Sequence, residues 1–144
     1  MIKAERCVLS DADEIRALEC ECMSRPWSFE NIVSALESEN TAMFKVTSDG
    51  RLVGFGGVDI VEGAEASVTD IVVRSDCRRK GVASAILTAI ISESRAKKVD
   101  TVLLEVWEGN LPAKALYEKF GFSVSYRRKN YYAEGDALVM TLKP

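Results

Sequence analysis

The stretch Asp70-Ile71-Val72-Val73-Arg74-Ser75-Asp76-Cys77-Arg78-Arg79-Lys80-Gly81-Val82-Ala83-Ser84 runs from a β-branched strand through a short polar loop into a helix. Backbone N–H groups at a helix start lack internal partners and carry partial positive charge. Small residues at Gly81 and Ala83 let an anion such as a pyrophosphate approach those groups closely. Arg78, Arg79 and Lys80 add side-chain charge at the same place. The alternative is a turn eased by small residues beside three solvated basic side chains, and for the loop alone the two readings stand level. Neither GxxxxGK[ST] nor GxGxxG occurs, which speaks against a nucleoside triphosphate or a nicotinamide dinucleotide as the anion.

Working outward toward the C-terminus, residues 81–97 read as a long helix with Val82, Ile86, Leu87, Ile90 and Ile91 on one broad apolar face. Residues 101–106 form a nearly continuous apolar run, the pattern of a buried central strand. Pro112 opens a helix that ends at Phe120 before Gly121, and residues 122–127 and 137–142 supply the last two strands. On the other side, residues 66–73 are a strand preceded by a hairpin, 43–47 and 52–61, turning at Ser48-Asp49-Gly50-Arg51. Residues 2–9 read as a first strand, and Ser10-Asp11 opens a helix that places Ile15, Leu18 and Cys22 together. Arg25-Pro26-Trp27 breaks it, and Ser28 caps a second helix carrying Phe29, Ile32, Val33 and Leu36. The order β-α-α-β-β-β-α-β-α-β-β, without linker or repeat, predicts one α/β domain over residues 1–144.

Composition narrows the chemistry. A chain of 144 residues with 47% hydrophobic residues closes one core. No apolar run approaches the eighteen or so residues of a membrane span, and Met1-Ile2-Lys3-Ala4-Glu5-Arg6 places charges where a signal peptide needs an apolar run, so a soluble cytoplasmic protein is expected. Cys7, Cys20, Cys22 and Cys77 lack the density of a disulfide framework, and buried, inert thiols are expected. Cys20-x-Cys22 has too few companions for a metal site. The absence of histidine removes Ser-His-Asp and Cys-His nucleophile systems and most catalytic zinc sites. A net charge of −3 argues against a general nucleic-acid binder while leaving room for a local basic patch.

The segment Arg78-Arg79-Lys80-Gly81-Val82-Ala83, following Ile71-Val72-Val73, resembles the acetyl-CoA pyrophosphate loop of the GNAT acetyltransferases. Leu104-Glu105-Val106, Asn110 and Ala115-Leu116-Tyr117-Glu118-Lys119-Phe120-Gly121-Phe122 are similar to the second half of that pattern, and the element order agrees over the whole chain. The resemblance implies the GNAT fold, a mixed, mostly antiparallel central sheet flanked by helices. Arg25-Pro26-Trp27-Ser28, Arg127-Arg128-Lys129-Asn130-Tyr131-Tyr132 and Asp136-Ala137-Leu138 are further similar to the RimI-type ribosomal-protein-alanine N-acetyltransferases. The chain departs from that pattern at Ala83, which stands for a second glycine, at Gly135, where a glutamate is common, and in a short final hairpin loop.

The resemblance implies direct transfer of acetyl from acetyl-CoA to an amine, with no acyl-enzyme and no metal. It makes Ile71, Val72, Val73, Arg78, Arg79, Lys80, Gly81, Val82, Ala83, Ser84 and Asn110 the cofactor-binding set. Asn110 reads equally well, from its place before Leu111-Pro112, as a helix-entry residue. Glu105 is a polar insertion in an apolar strand, either a salt-bridged carboxylate or a base whose burial favours its protonated form. Tyr117 is either a core aromatic beside Phe120 or, as the resemblance implies, the acid that protonates the departing thiolate. Trp27, Tyr131 and Tyr132 are expected on loops flanking an acceptor channel. The acceptor implied is a protein N-terminus, with a ribosomal protein among the candidates. A small-molecule amine, or cofactor binding without turnover, are the competing readings.

Overall fold

The computed structural model describes residues 2–132 and 135–144, apart from the side chain of Tyr132. The chain order is β1 (Glu5–Arg6), α1 (Ala12–Cys22), α2 (Phe29–Glu37), β2 (Thr41–Ser48), β3 (Arg51–Val61), β4 (Glu65–Val73), α3 (Val82–Ala96), β5 (Thr101–Trp107), α4 (Leu111–Lys119), β6 (Ser123–Tyr132) and β7 (Gly135–Leu142). These strands form a 7-stranded sheet in the order β1-β2-β3-β4-β5-β7-β6. The junction of β4 and β5 is parallel and the other pairings are antiparallel, the mixed, mostly antiparallel sheet that the family resemblance implies.

Helix α3 covers one face of the sheet. Ile86, Leu87 and Ile90 are fully buried against Val58, Val102, Leu104 and Met140, each contributing about 1.5–3 kcal/mol of transfer free energy. Their spacing puts them on one stripe of the helix. Helices α1 and α2 cover the opposite face over β2, β3 and β4, where Ile15, Leu18 and Ile32 meet Met43, Leu52, Phe55 and Val72.

Two glycines set how closely α3 approaches. A Cβ on Gly54 would lie 2.6 Å from Val82 Cγ1, and one on Gly56 would lie 2.6 Å from Ile86 Cγ2 and 2.9 Å from the Asp70 carbonyl oxygen. Opposite them β4 carries a bulge: Gly57 pairs with Asp70 and Val58 with Val68, so Thr69 is an extra residue. The bulge reverses the alternation. Ala66 and Val68 before it pack toward α3, as do Ile71 and Val73 after it, and Val72 joins the α1–α2 side.

Four expectations are corrected. The strand expected over 2–9 shrinks to Glu5–Arg6 because Asp11 Oδ2 accepts the Val8 N–H at 2.7 Å and pulls the chain into a tight turn. Strand β6 continues to Tyr132, so Tyr131 and Tyr132 end a strand and do not sit on a free loop. Arg128 and Lys129 read as loop in sequence, beyond a strand expected to end at Arg127, yet an edge strand tolerates such charge. Strand β5 is not buried on both faces: Val102, Leu104 and Val106 are buried, whereas Leu103 and Glu105 are half-exposed because α1 and α2 stop short of β5. Of the thiols, Cys7 alone is buried; Cys20 is exposed and Cys22 and Cys77 are half-buried.

Burial, with the Asp11 carboxylate beside it, pushes the Cys7 thiol up to about 12. Native-state alkylation followed by mass spectrometry is therefore expected to label Cys20 first and Cys7 only after unfolding. Gly56→Ala should lower the unfolding free energy by about 1–3 kcal/mol through overpacking against Ile86, read as a reduced urea midpoint at unchanged slope.

Candidate functional site

The site begins where two strands part. Parallel pairing between β4 and β5 holds for Glu65, Ser67 and the residue between them against Thr101–Leu103 and then ends. Beyond Ser67 the β5-facing edge of β4 has no strand beside it, and a gap runs through the sheet. On the α3 side the gap opens into a cleft of about 630 Å³. Its walls are Ile71, Val72 and Val73 of β4, the start of α3 at Val82, Ala83 and Ser84, and Ala113, Leu116 and Tyr117 of α4. Arg78, Arg79, Gly81 and Asn110 line its rim.

The loop entering α3 is held in shape by its own polar groups. Arg74 forks onto Asp76 at 3.1 and 3.2 Å, and this hydrogen bond holds the Asp76 carboxyl at about 2. Arg78 Nε donates to the Val73 carbonyl at 3.3 Å. Arg79 and Gly81 both take left-handed backbone conformations, with φ of 62° and 86°. Gly81 is the N-cap of α3 and supplies no side-chain acceptor to the first N–H groups of the helix. The other long-loop helices are capped: Ser28 Oγ accepts from Asn31 N–H in α2, and Asn110 Oδ1 accepts from Ala113 N–H in α4. The amides at the start of α3 thus point into the cleft, with two arginines beside them, and suit a phosphate-bearing ligand.

The expected cofactor set is mostly brought together, with Lys80 as the exception, exposed and outside the cleft lining. Cys22 and Met23, at the end of α1, line the cleft as well. Nothing local in the sequence marks them, since they arrive from fifty or so positions upstream by folding of α1 over β4. Tyr117 lies edge-on to Phe122, with ring centroids 6.0 Å apart.

Glu105 lies on the other side of the gap. Val102, Leu104 and Val106 occupy the α3 face, so the alternation of β5 sends Glu105 to the opposite one. Its side chain is 26% exposed and its Oε1 lies 3.2 Å from Arg128 Nε, which differs from the deep burial expected of it. The Arg128 guanidinium also lies over the rings of Tyr126 and Tyr131. Arg127 bonds both Glu108 and Asp136, and Asp136 Oδ1 accepts the Asn130 N–H at 2.8 Å, fixing the outer end of β6. Trp27 is half-buried and packs against the α1–α2 core, with its backbone N–H donating to Glu19 Oε1 at 3.1 Å. The side chain of Tyr132 falls outside the described residues.

Among the described residues no group of His, Cys, Asp or Glu side chains is arranged to hold a metal ion, and no helix is long and apolar enough to cross a membrane.

Comparison with known proteins agrees with this geometry. Residues 12–122 match the acetyltransferase (GNAT) family. The [ribosomal protein bS18]-alanine N-acetyltransferase of Escherichia coli strain K12 is 35% identical over 121 residues, covering 81% of this chain and 80% of that one. The crystal structure of the Escherichia coli ribosomal-protein-S18-alanine N-acetyltransferase superposes with a TM-score of 0.89 at 31% identity, covering 99% of this chain and 94% of that one. Arabidopsis thaliana NAA60, crystallised with acetyl-CoA, shares the fold with a TM-score of 0.88 at 17% identity over 99% of this chain and 98% of that one. The chain belongs to the acetyltransferase (GNAT) family.

Proposed function

We propose that this acetyltransferase moves the acetyl group of acetyl-CoA directly onto the N-terminal α-amine of a protein, with a ribosomal protein as the favoured acceptor. The observation that carries the reading is the gap between β4 and β5, with a phosphate-suited cleft on one side and Glu105 on the other. A donor entering from the α3 side and an amine entering from the Glu105 side meet within the sheet, and that positioning lowers the barrier without a covalent intermediate. The named activity of the Escherichia coli relative, alanine N-acetylation of a ribosomal protein, supports the acceptor class.

The residues fit the donor. Uncapped amides at Gly81–Ser84, with Arg78 and Arg79, would hold the pyrophosphate. The unpaired edge of Ile71–Val73 offers backbone groups that bind an extended acyl-pantetheine arm as an added strand would and polarise the thioester carbonyl. Glu105 takes the proton of the attacking amine through a water. An α-amine has a pKa near 8 ordinarily, so about a tenth is already neutral at pH 7. Tyr117, lining the cleft, protonates the leaving thiolate. Asn110 caps α4 and lines the same rim, and both roles are compatible. Tyr131 and Trp27 bound the acceptor side. We read residues 1–144 as one catalytic domain working in the cytoplasm, where its free thiols are stable.

Thiol release from acetyl-CoA with short peptides should be confined to free N-termini and should fall by about a hundredfold or more in Glu105→Gln and Tyr117→Phe. Turnover with blocked peptides or with polyamines alone would replace the acceptor. Gly81→Val forces a side chain into a left-handed position, at about 1–2 kcal/mol, and should raise the acetyl-CoA Kd about tenfold in calorimetry.

A further inference from the structure

Two carboxyl groups, each with an oxygen sealed from solvent, stand outside the mechanism described above. Glu19 is 1% exposed on the inner face of α1. Asp70 is the β4 residue just before the cleft-lining segment Ile71–Val73. Glu19 Oε1 is satisfied by the Trp27 N–H at 3.1 Å. Glu19 Oε2 and Asp70 Oδ2 are both out of reach of solvent and have no hydrogen-bond donor among the described residues. Helix α1 packs over β4, and Asp70, two residues before the α1-facing Val72 and past the bulge, turns the same way, so the two carboxyl groups share that face.

Carboxylates cannot satisfy each other while both are ionised, since each only accepts. A single proton between them resolves both orphaned oxygens at once. Among the described residues neither carboxyl has an ion-pair partner. From α1 the ionisable groups on this face are Glu19 and, one turn on, Cys22, whose thiol donates to the Val73 carbonyl. Strand β3 opposes Asp70 with Gly57, and the α1–α2 connection contributes the Trp27 N–H. Lys45 is engaged by Asp11, and Arg74 by Asp76.

We infer that Glu19 and Asp70 share one proton and serve as a positioning pair, pinning the 23–28 connection, through the Trp27 N–H, to the strand that lines the cleft. Burial, reinforced by the hydrogen bond and charge of Glu19, pushes Asp70 up to about 8. At neutral pH Asp70 thus keeps its proton and can donate it toward Glu19 Oε2. Loss of the shared proton puts two negative charges into one dry site, and the connection carrying Trp27 is the part able to move away. The consequence for the acceptor rests on the function proposed above, whereas the shared proton and the pinning do not.

The test uses the full chain with Trp107→Phe, which leaves Trp27 as the one remaining tryptophan of the two in the sequence. Acrylamide quenching of Trp27 is expected to rise between pH 7 and 9 with a midpoint near the Asp70 value of about 8, and to stay flat in Asp70→Asn and Glu19→Gln, whose amides donate permanently. A flat profile in the parent, or the same rise in both amide variants, overturns the inference. Stability gives a second arm. The folded chain holds a proton that the unfolded chain releases near pH 4, so the parent loses stability relative to Asp70→Asn as pH rises from about 4 to about 8, and no further above. A pH-independent difference between the two proteins overturns it as well. At pH 7, with a free N-terminal peptide, Asp70→Leu should raise the acceptor KM about tenfold at unchanged acetyl-CoA affinity, and Asp70→Asn should restore it. Equal impairment of Leu and Asn variants overturns the positioning role. If no peptide is acetylated by the parent, the proposed acceptor fails while the quenching and stability arms still decide the proton.

Discussion

After Leu103 the backbone of β5 has no β4 to bond, and everything distinctive about this molecule follows from that parting. A continuous sheet would present two closed faces, each sealed by its helices. Interrupting one ladder after a short parallel stretch leaves an edge of β4 unsatisfied inside the fold, a costly arrangement unless something polar arrives to pair with it. The bulge at Thr69 sits where the pairing is lost. It lets Ile71 and Val73 keep facing α3 while Asp70 and Val72 turn toward α1, so the open edge stays anchored on both sides.

The helix termini show how the sequence divides structural from functional ends. Ser28 and Asn110 spend their side chains on the first amides of α2 and α4. At α3 the same amides meet Gly81, which has no side chain to offer and a left-handed backbone that turns the loop outward. Arg78 and Arg79 line the same rim. The stability forgone at that end is offset by the buried apolar face of α3, where Ile86, Leu87 and Ile90 have no solvent exposure.

Charge is distributed with similar economy. Lys45 and Asp11 meet at 2.8 Å behind the first strand, with Asp11 also holding the Val8 N–H, so both Asp11 oxygens accept a hydrogen bond where solvent is scarce. On the Glu105 side of the sheet the ion pairs are more open: Arg128 with Glu105, and Arg127 with Glu108 and Asp136. Exposed pairs contribute little to stability and exchange readily. Arg128 therefore holds Glu105 in place without sealing it.

The sequence alone determined the order of elements, the anion-suited loop at 78–84 and the family likeness, because these depend on local periodicity, on glycine at a fixed position and on residues close along the chain. It misjudged where sheet edges matter. Arg128 and Lys129 read as loop although they sit on an edge strand, and β5 read as buried on both faces although α1 and α2 leave one face open. Only the tertiary structure decided that Cys22 and Met23 reach the cleft and that Glu105 and Tyr117 belong to opposite faces of the sheet. It also decided that Glu19, an unremarked glutamate in a helix, is buried against Asp70. The physical reason is the same each time. Burial and proximity are properties of elements packed together, and a residue's own neighbours along the chain carry no record of what a distant strand or helix brings against it.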